Sequence, residues 1–222
     1  MQFDGFPAGA GEFLWELRFN NERPWFQAHK EEFLNLVDRP FKALGQEVLE
    51  RMQEACPKRN WDLHISRIYR DARRLYGRGP MKDHLWMTLR CSGEKSEEGS
   101  VFYFSFEPEG YSFGFGSYSE RAAYMDRFRR VTLADPKKLE SLARKLKKQP
   151  KYRIIGKEYA RKKVECSPLL DPWLNRRWVS VDVSRPHDEI SQCHDLADEL
   201  VESFRFLMPY YDYFDWVRSL AD

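Results

Sequence analysis

No apolar run in this chain approaches the roughly 20 residues that a helix needs to span a bilayer. The N-terminus, MQFDGFPAGAGEFLW, also lacks the basic and apolar segments of a secretory leader. Both absences argue against a membrane partner and for a cytoplasmic protein. Cysteine is sparse and scattered: Cys56, Cys91, Cys166 and Cys193 form no CxxC pair and no Cys-His spacing of the zinc type. They read as thiols of a reducing compartment, not as a disulfide framework. The histidines, His29, His64, His84, His187 and His194, show no metal spacing either; His187 and His194 share a helical face, yet two ligands are too few. The expectation is no metal and no cofactor. There is no GxSxG elbow for serine catalysis, and FGFG at 113–116 lacks the GK[ST] of a phosphate loop. A basic excess is missing as well: 37 Lys and Arg face 35 Asp and Glu, for a net charge of +2. That balance disfavours a nucleic-acid partner, although an average hides any local basic patch.

What is present is a folded chain of 222 residues, 42% hydrophobic and 15% aromatic, long enough for a sizeable core. Residues 12–19 place Phe13, Leu14 and Leu17 on one helical face after a Gly9–Gly11 breaker. From Trp25 apolar residues recur at threes and fours as far as Met52, an amphipathic helix bent at Pro40 and ended by Pro57. The middle reads as sheet. Residues 84–90 and 101–107 alternate, Pro108-Glu109-Gly110 turns the chain into 111–116, 64–70 is β-compatible, and 93–100, with Glu97 and Glu98, is a polar connection. Helices return at 120–132 and 135–148. An irregular stretch covers 149–175, a strand 177–184, and a last helix starts at Ser184 and Pro186. Pro209 is expected to break that helix before an aromatic tail, Tyr210, Tyr211, Tyr213, Phe214 and Trp216, which offers core packing or, less favoured, a dimer contact. Sequential strands on short links imply an α+β fold: an antiparallel sheet of about four to six strands, with long helices at the N- and C-terminal ends. Without repeats or a second composition regime, residues 1–222 read as a single domain.

Chemistry concentrates at 67–81, RIYRDARRLYGRGPM, which holds Arg67, Arg70, Arg73, Arg74 and Arg78 around one acid, Asp71. Guanidiniums this dense need carboxylates or a ligand anion to offset them. One reading is an anion site in which guanidinium forks grip phosphate or carboxylate oxygens and Asp71 orients an arginine. The other is a partly buried ion-pair network fed by Asp71, Asp62, Asp83 or Glu107. Arginine exceeds nearby acid, which tips the balance slightly towards the ligand. Flanking arginines would make Asp71 a poor general base, so an enzyme built on the same arginines has no identifiable base or nucleophile.

The same residues carry a resemblance. The chain resembles the bacterial and fungal family of uncharacterised proteins known as domain of unknown function 2461, whose hallmark reads RxxRDxRFxxxKxPY. Arg67, Arg70, Asp71, Arg73 and Pro80 match it, while Arg74, Arg78 and Met81 stand where the hallmark has Phe, Lys and Tyr. Asn20, Asn21, Trp25 and Phe26 (NN-x-x-x-WF) and the glycine pair Gly114 and Gly116 resemble the family too. The similarity runs along nearly the whole chain. It implies a module with no established activity and no catalytic residue to carry over.

The expected function is therefore binding of an anionic, phosphate-bearing small ligand through Arg67, Arg70, Asp71, Arg73 and Arg78. Gly114 and Gly116 are read mainly as structural, or as neighbours of that pocket permitting close approach. The alternative is a nucleic-acid-associated protein using the basic segment 137–163, where Tyr152 and Tyr159 lie among lysines and arginines.

Overall fold

The computed structural model describes residues 2–91, 99–116 and 122–220, without the Arg74 side chain. Glu97, Glu98 and the rest of 93–98, and the start of the helix expected at 120, lie outside the described residues. The chain forms two compact units: Met1–Ser92, Tyr103–Phe113 and Ser184–Glu202 make the first, and Gly93–Phe102, Gly114–Val183 and Ser203–Asp222 the second.

The class is α+β, as expected. Strands β1 (Trp61–Ile65), β2 (Leu85–Cys91), β3 (Val101–Glu107), β4 (Gly110–Gly116), β5 (Arg153–Ile155) and β6 (Ser180–Arg185) form a six-stranded antiparallel sheet in the order β1-β2-β3-β4-β6-β5. Alternation sets the register of β1 on β2, Trp61 opposite Cys91 and Ile65 opposite Met87, which puts Leu85, Met87 and Leu89 inward. In β3 the alternation misleads: Tyr103 and Ser105 are buried along with Phe102, Phe104 and Phe106. A strand third of six, covered on both faces, keeps no solvent side.

In the first unit, α1 (Ala10–Phe19) and α2 (Arg23–Ala28) precede α3 (Lys30–Phe33), a π turn over Leu34–Asp38 and α4 (Arg39–Ala55). Where one helix from Trp25, bent at Pro40, is expected, the chain is divided at His29 and a π turn lies just before Pro40. Proline cannot donate to the preceding turn and its ring crowds the carbonyl there, so the backbone opens by one residue just before it. Gly45 lets α4 settle on the sheet, since a Cβ there would meet Met87, Ile65 and Leu63 at 3.1–3.3 Å. Phe6 stacks on Phe106 with centroids 3.9 Å apart and meets Phe3 edge-on at 5.5 Å.

The second unit holds α5 (Ala122–Ala134), α6 (Lys137–Lys147), α7 (Asp171–Leu174) and the larger part of α8 (Asp195–Ser219). Two expectations fail in α8. It starts at residue 195, because Asp188 and Ser191 hydrogen-bond each other's backbone and side chains in a tight turn that competes with helix. It also runs straight through Pro209. Tyr210, Tyr211, Tyr213, Phe214 and Val217 are all buried, and at about 1.5–3 kcal/mol per large side chain their burial outweighs the roughly 3 kcal/mol that an interior proline costs. The aromatic tail is thus core: Phe214 meets Phe115 edge-on at 5.2 Å, Tyr213 pairs with Thr132 at 2.8 Å, and Tyr210 donates to the Leu142 carbonyl. Trp216 remains 41% exposed. Gly116 has φ +152°, and a Cβ there would fall 2.3 Å from Ser180 Oγ, so its bareness lets β6 approach β4.

Among the described residues no helix is long and apolar enough to cross a membrane, and the four cysteines are thiols, not disulfides. Burial makes a sharp forecast for the tail. Phe214→Ala should cost about 3–5 kcal/mol and Trp216→Ala about 1 kcal/mol or less, read by urea unfolding. Equal losses would contradict this account of the tail.

Candidate functional site

After β1 the chain runs on to residue 70 and pairs with 80–86. Ser66 N–H donates to Trp86 O at 2.8 Å, Lys82 N–H to Ile68 O at 2.7 Å and Arg70 N–H to Pro80 O at 2.8 Å, while Tyr69 bridges Met81. Residues 71–79 form an excursion between these arms. Asp71 starts it by accepting the Arg73 N–H and capping a 3-10 turn over Ala72–Arg74. Tyr76 and Gly77 follow at positive φ, 48° and 77°, and Arg78 N–H closes the turn on Leu75 O. The excursion is anchored from a distance: the Asn21 amide donates to Met81 O and accepts from Met81 N–H, both at 2.9 Å. Gly79 lies so close to Asn21 that a Cβ would sit 2.3 Å away. Phe26 meets the Tyr69 ring edge-on at 5.6 Å.

The arginines take three different environments. Arg73 is exposed and locked onto Asp71 through two hydrogen bonds of 3.0 and 2.8 Å, so this pair satisfies itself. Arg70 is mostly buried; its Nε donates to Met81 O at 2.9 Å, and its Nη2 stands 3.7 Å from Asp83. Burial pulls its pKa down, Arg78 adds to that, and Asp83 opposes it. Arg67 has no hydrogen bond or ion pair among the described residues. Among the described residues Arg78 reaches only the Leu75 carbonyl, at 3.4 Å, and no carboxylate. Lys82 joins them: burial first, then Arg70 and Arg67, push its ammonium pKa down, while the head rests 5.7 Å from the Trp86 ring.

The opposing acid is Asp83. Burial would raise its pKa, but hydrogen bonds from His84 and Arg18 outweigh that and hold it below the usual carboxylate range. Arg18 also grips Glu109 with both terminal nitrogens. Asp83 thus partly neutralises Arg70, while among the described residues Arg67, Arg78 and Lys82 have no ion pair with an acid. The rings of Tyr69 and Tyr76, 45% and 81% exposed, belong to the same segment.

Of the sequence-predicted residues, Arg67, Arg70 and Arg78 are gathered, with Asp71 and Arg73 paired on the flank. Gly114 and Gly116 are buried in the part of β4 that belongs to the second unit. Sequence reasoning missed Lys82, although it sits one residue past the hallmark, and Arg18, which reaches Asp83 across 65 positions and leaves no local signal.

A model of the family described as a conserved hypothetical protein, DUF2461, matches residues 10–213. The chain belongs to the DUF2461 family. No curated protein matches it. The matched span takes in both the DUF2461 hallmark segment and its Asn21 anchor.

Other clusters in this DUF2461 protein are internally satisfied. His194, Asp195 and Asp198 bring one ligand atom each within 4.8 Å of one another. Yet His194 Nε2 lies 2.8 Å from Glu47, and Asp198 pairs with Arg51, so the group reads as an ion-pair network. In the basic segment, Lys138, Lys145, Lys151 and Lys163 lie over aromatic rings, Lys162 pairs with Asp171 and Arg144 with Glu140.

Because the folded pKa of Asp83 is depressed, the stability it contributes is present above its ordinary value of about 4 and is lost as the pH falls below that, through the lower folded pKa. Asp83→Asn should therefore cost about 1 kcal/mol or more at pH 7, with the gap from wild type closing towards pH 3 in thermal melts. A gap that is constant with pH would refute this role.

Proposed function

We propose that the hallmark segment binds an anionic, phosphate-bearing small ligand through Arg67, Arg70 and Arg78, with Lys82 as a fourth cation and the Asp71–Arg73 pair as a fixed flank. The observation that carries this reading is the state of the cations. Among the described residues Arg67 and Arg78 have no carboxylate partner, and burial together with neighbouring cations disfavours the charge on Arg70 and Lys82. A dianion entering here relieves that repulsion, and guanidinium forks match its oxygens in two-point contacts. A network built for stability alone would place acids beside those same cations. The reading carries with it a cytoplasmic setting, where thiols stay reduced.

One observation favours an enzyme on the same site. His84 Nδ1 pairs with Asp83 at 2.9 Å, which leaves Nε2 to move a proton, a group of the kind acid–base chemistry needs. The basic segment 137–163 supports a nucleic-acid reading less well, since many of its cations are occupied within their own unit.

Titration calorimetry with inorganic phosphate, pyrophosphate and nucleotides tests the binding. A member of this panel should bind the wild type, with affinity falling as salt rises. Arg70→Ala, if folded, should weaken it at least tenfold, about 1.4 kcal/mol, whereas Arg73→Ala should change it less than threefold. If nothing in the panel binds the wild type, the reading fails. The enzymatic form predicts slow phosphate release from a phosphomonoester that His84→Ala abolishes.

A further inference from the structure

Two outliers of the chain coincide at Tyr76. Among the described residues it is the one non-glycine residue at positive φ, 48°. It is also the most exposed of their large hydrophobic side chains, at 81%. The bond from Arg78 N–H to Leu75 O, 2.9 Å, closes a tight turn over 75–78 whose central residues are Tyr76 and Gly77, both in the left-handed region. Turns of this kind favour Asn, Asp or Gly at the first central position and Gly at the second, since a larger side chain crowds the backbone there. Gly77 suits its place and Tyr76 does not, so its backbone is strained and its ring stands in water.

Nothing in the fold offsets either cost. The other exposed ring of the segment, Tyr69, is anchored: Phe26 meets it edge-on, and Gln27 donates to its hydroxyl at 3.4 Å. Among the described residues Tyr76 has no hydrogen bond and no ring or cation contact. Strain of this sort gathers at ligand sites, where it fixes a group in the position that binding needs. Arg78, exposed and without a carboxylate among the described residues, ends the same turn. Two residues cover at most about 7 Å of backbone, a span of the order that separates base from phosphate in a mononucleotide.

The surroundings of the ring decide what it can hold. An alkyl group needs an enclosing apolar wall, and the rest of the turn is a half-buried leucine, a glycine and an arginine. One open ring face suits a flat partner instead, and every nucleobase has a π-face to stack on it. The guanidiniums beside it suit the phosphate of the same molecule. We propose, as a step that rests on the anion-binding reading of this site, that its ligand is a nucleoside phosphate, with the base stacked on Tyr76 and the phosphate held by Arg78, Arg67 and Arg70.

Calorimetry on the full chain with AMP and ribose 5-phosphate, the same phosphorylated sugar with and without a base, tests this. AMP should bind the wild type at least tenfold more tightly. Tyr76→Asn gives the turn a favoured residue, so it should fold and melt about 2 °C or more above wild type, yet its preference for AMP should drop to threefold or less. Tyr76→Phe keeps the ring and should keep the preference. Equal affinities in the wild type would overturn the base contact and leave the anion site standing, and so would a preference that Tyr76→Asn retains. A Tyr76→Asn midpoint no higher than that of wild type would show the turn to be unstrained and would count against the proposal equally. If the wild type binds neither compound the proposal falls, and inorganic phosphate and pyrophosphate then decide the anion site on their own.

Discussion

The backbone of Met81 is the point on which the arginine segment hangs. Its N–H and carbonyl are both taken by the single amide of Asn21, and the same carbonyl accepts Arg70 Nε. The residue itself is fully buried. An amide side chain that satisfies both backbone groups of a distant residue works as one rung of a sheet, and it leaves neither group unpaired in the interior. The excursion 71–79 can then carry exposed, charged side chains, because its base is held by Asn21 and by the pairing of 66–70 with 80–86. Without that rung, a segment rich in arginine and glycine has little apolar surface to keep it in place.

Charge shapes the site next. Burial and neighbouring cations push the pKa values of Arg70 and Lys82 down, and the main counter-charge is the one carboxylate of Asp83, which Arg18 and His84 also claim. One acid divided among several donors neutralises each only in part. Elsewhere the chain handles cations differently: Arg185 pairs with Glu199 in a fork of two 2.7 Å bonds, and Arg129 is buried with its guanidinium donating to two carbonyls and Asp126. A fold that satisfies those arginines so fully, yet among the described residues leaves Arg67 and Arg78 without acid, has a local excess at the hallmark that its general use of arginine does not explain.

The fold was legible where local pattern and burial coincide. β2 alternates because one of its faces is more open, and α6 is amphipathic because Leu139, Ala143 and Leu146 are its buried stripe. Legibility failed where the deciding contact is remote. Nothing near Pro209 announces that five buried side chains follow it into a core, and Ser184-Pro186 resembles a helix start until the Asp188–Ser191 turn intervenes. Within the site, the hallmark spacing located the arginines but not their fates. Arg73 satisfies itself on Asp71 two residues away, a contact that spacing alone allows. Arg18 and Asn21 arrive from the N-terminal helices, and the co-occurrence of NN-x-x-x-WF with the hallmark was the one trace of that contact.

The hallmark's departures can now be weighed position by position. Position 81, where the pattern has tyrosine, serves through its backbone: Asn21 and Arg70 contact main-chain atoms that every residue has, so methionine meets the need with a side chain that is merely buried. Position 78 keeps a cation, and Arg78 is close enough to depress the Arg70 pKa, so the change from lysine alters the shape of the charge but not its presence. A compact ammonium became a planar fork able to make two-point contacts. The pattern thus constrains backbone at one end and charge at the other. Any ligand it serves is expected to be recognised at 67, 70 and 78, while 71–73 and 79–81 hold those three in register.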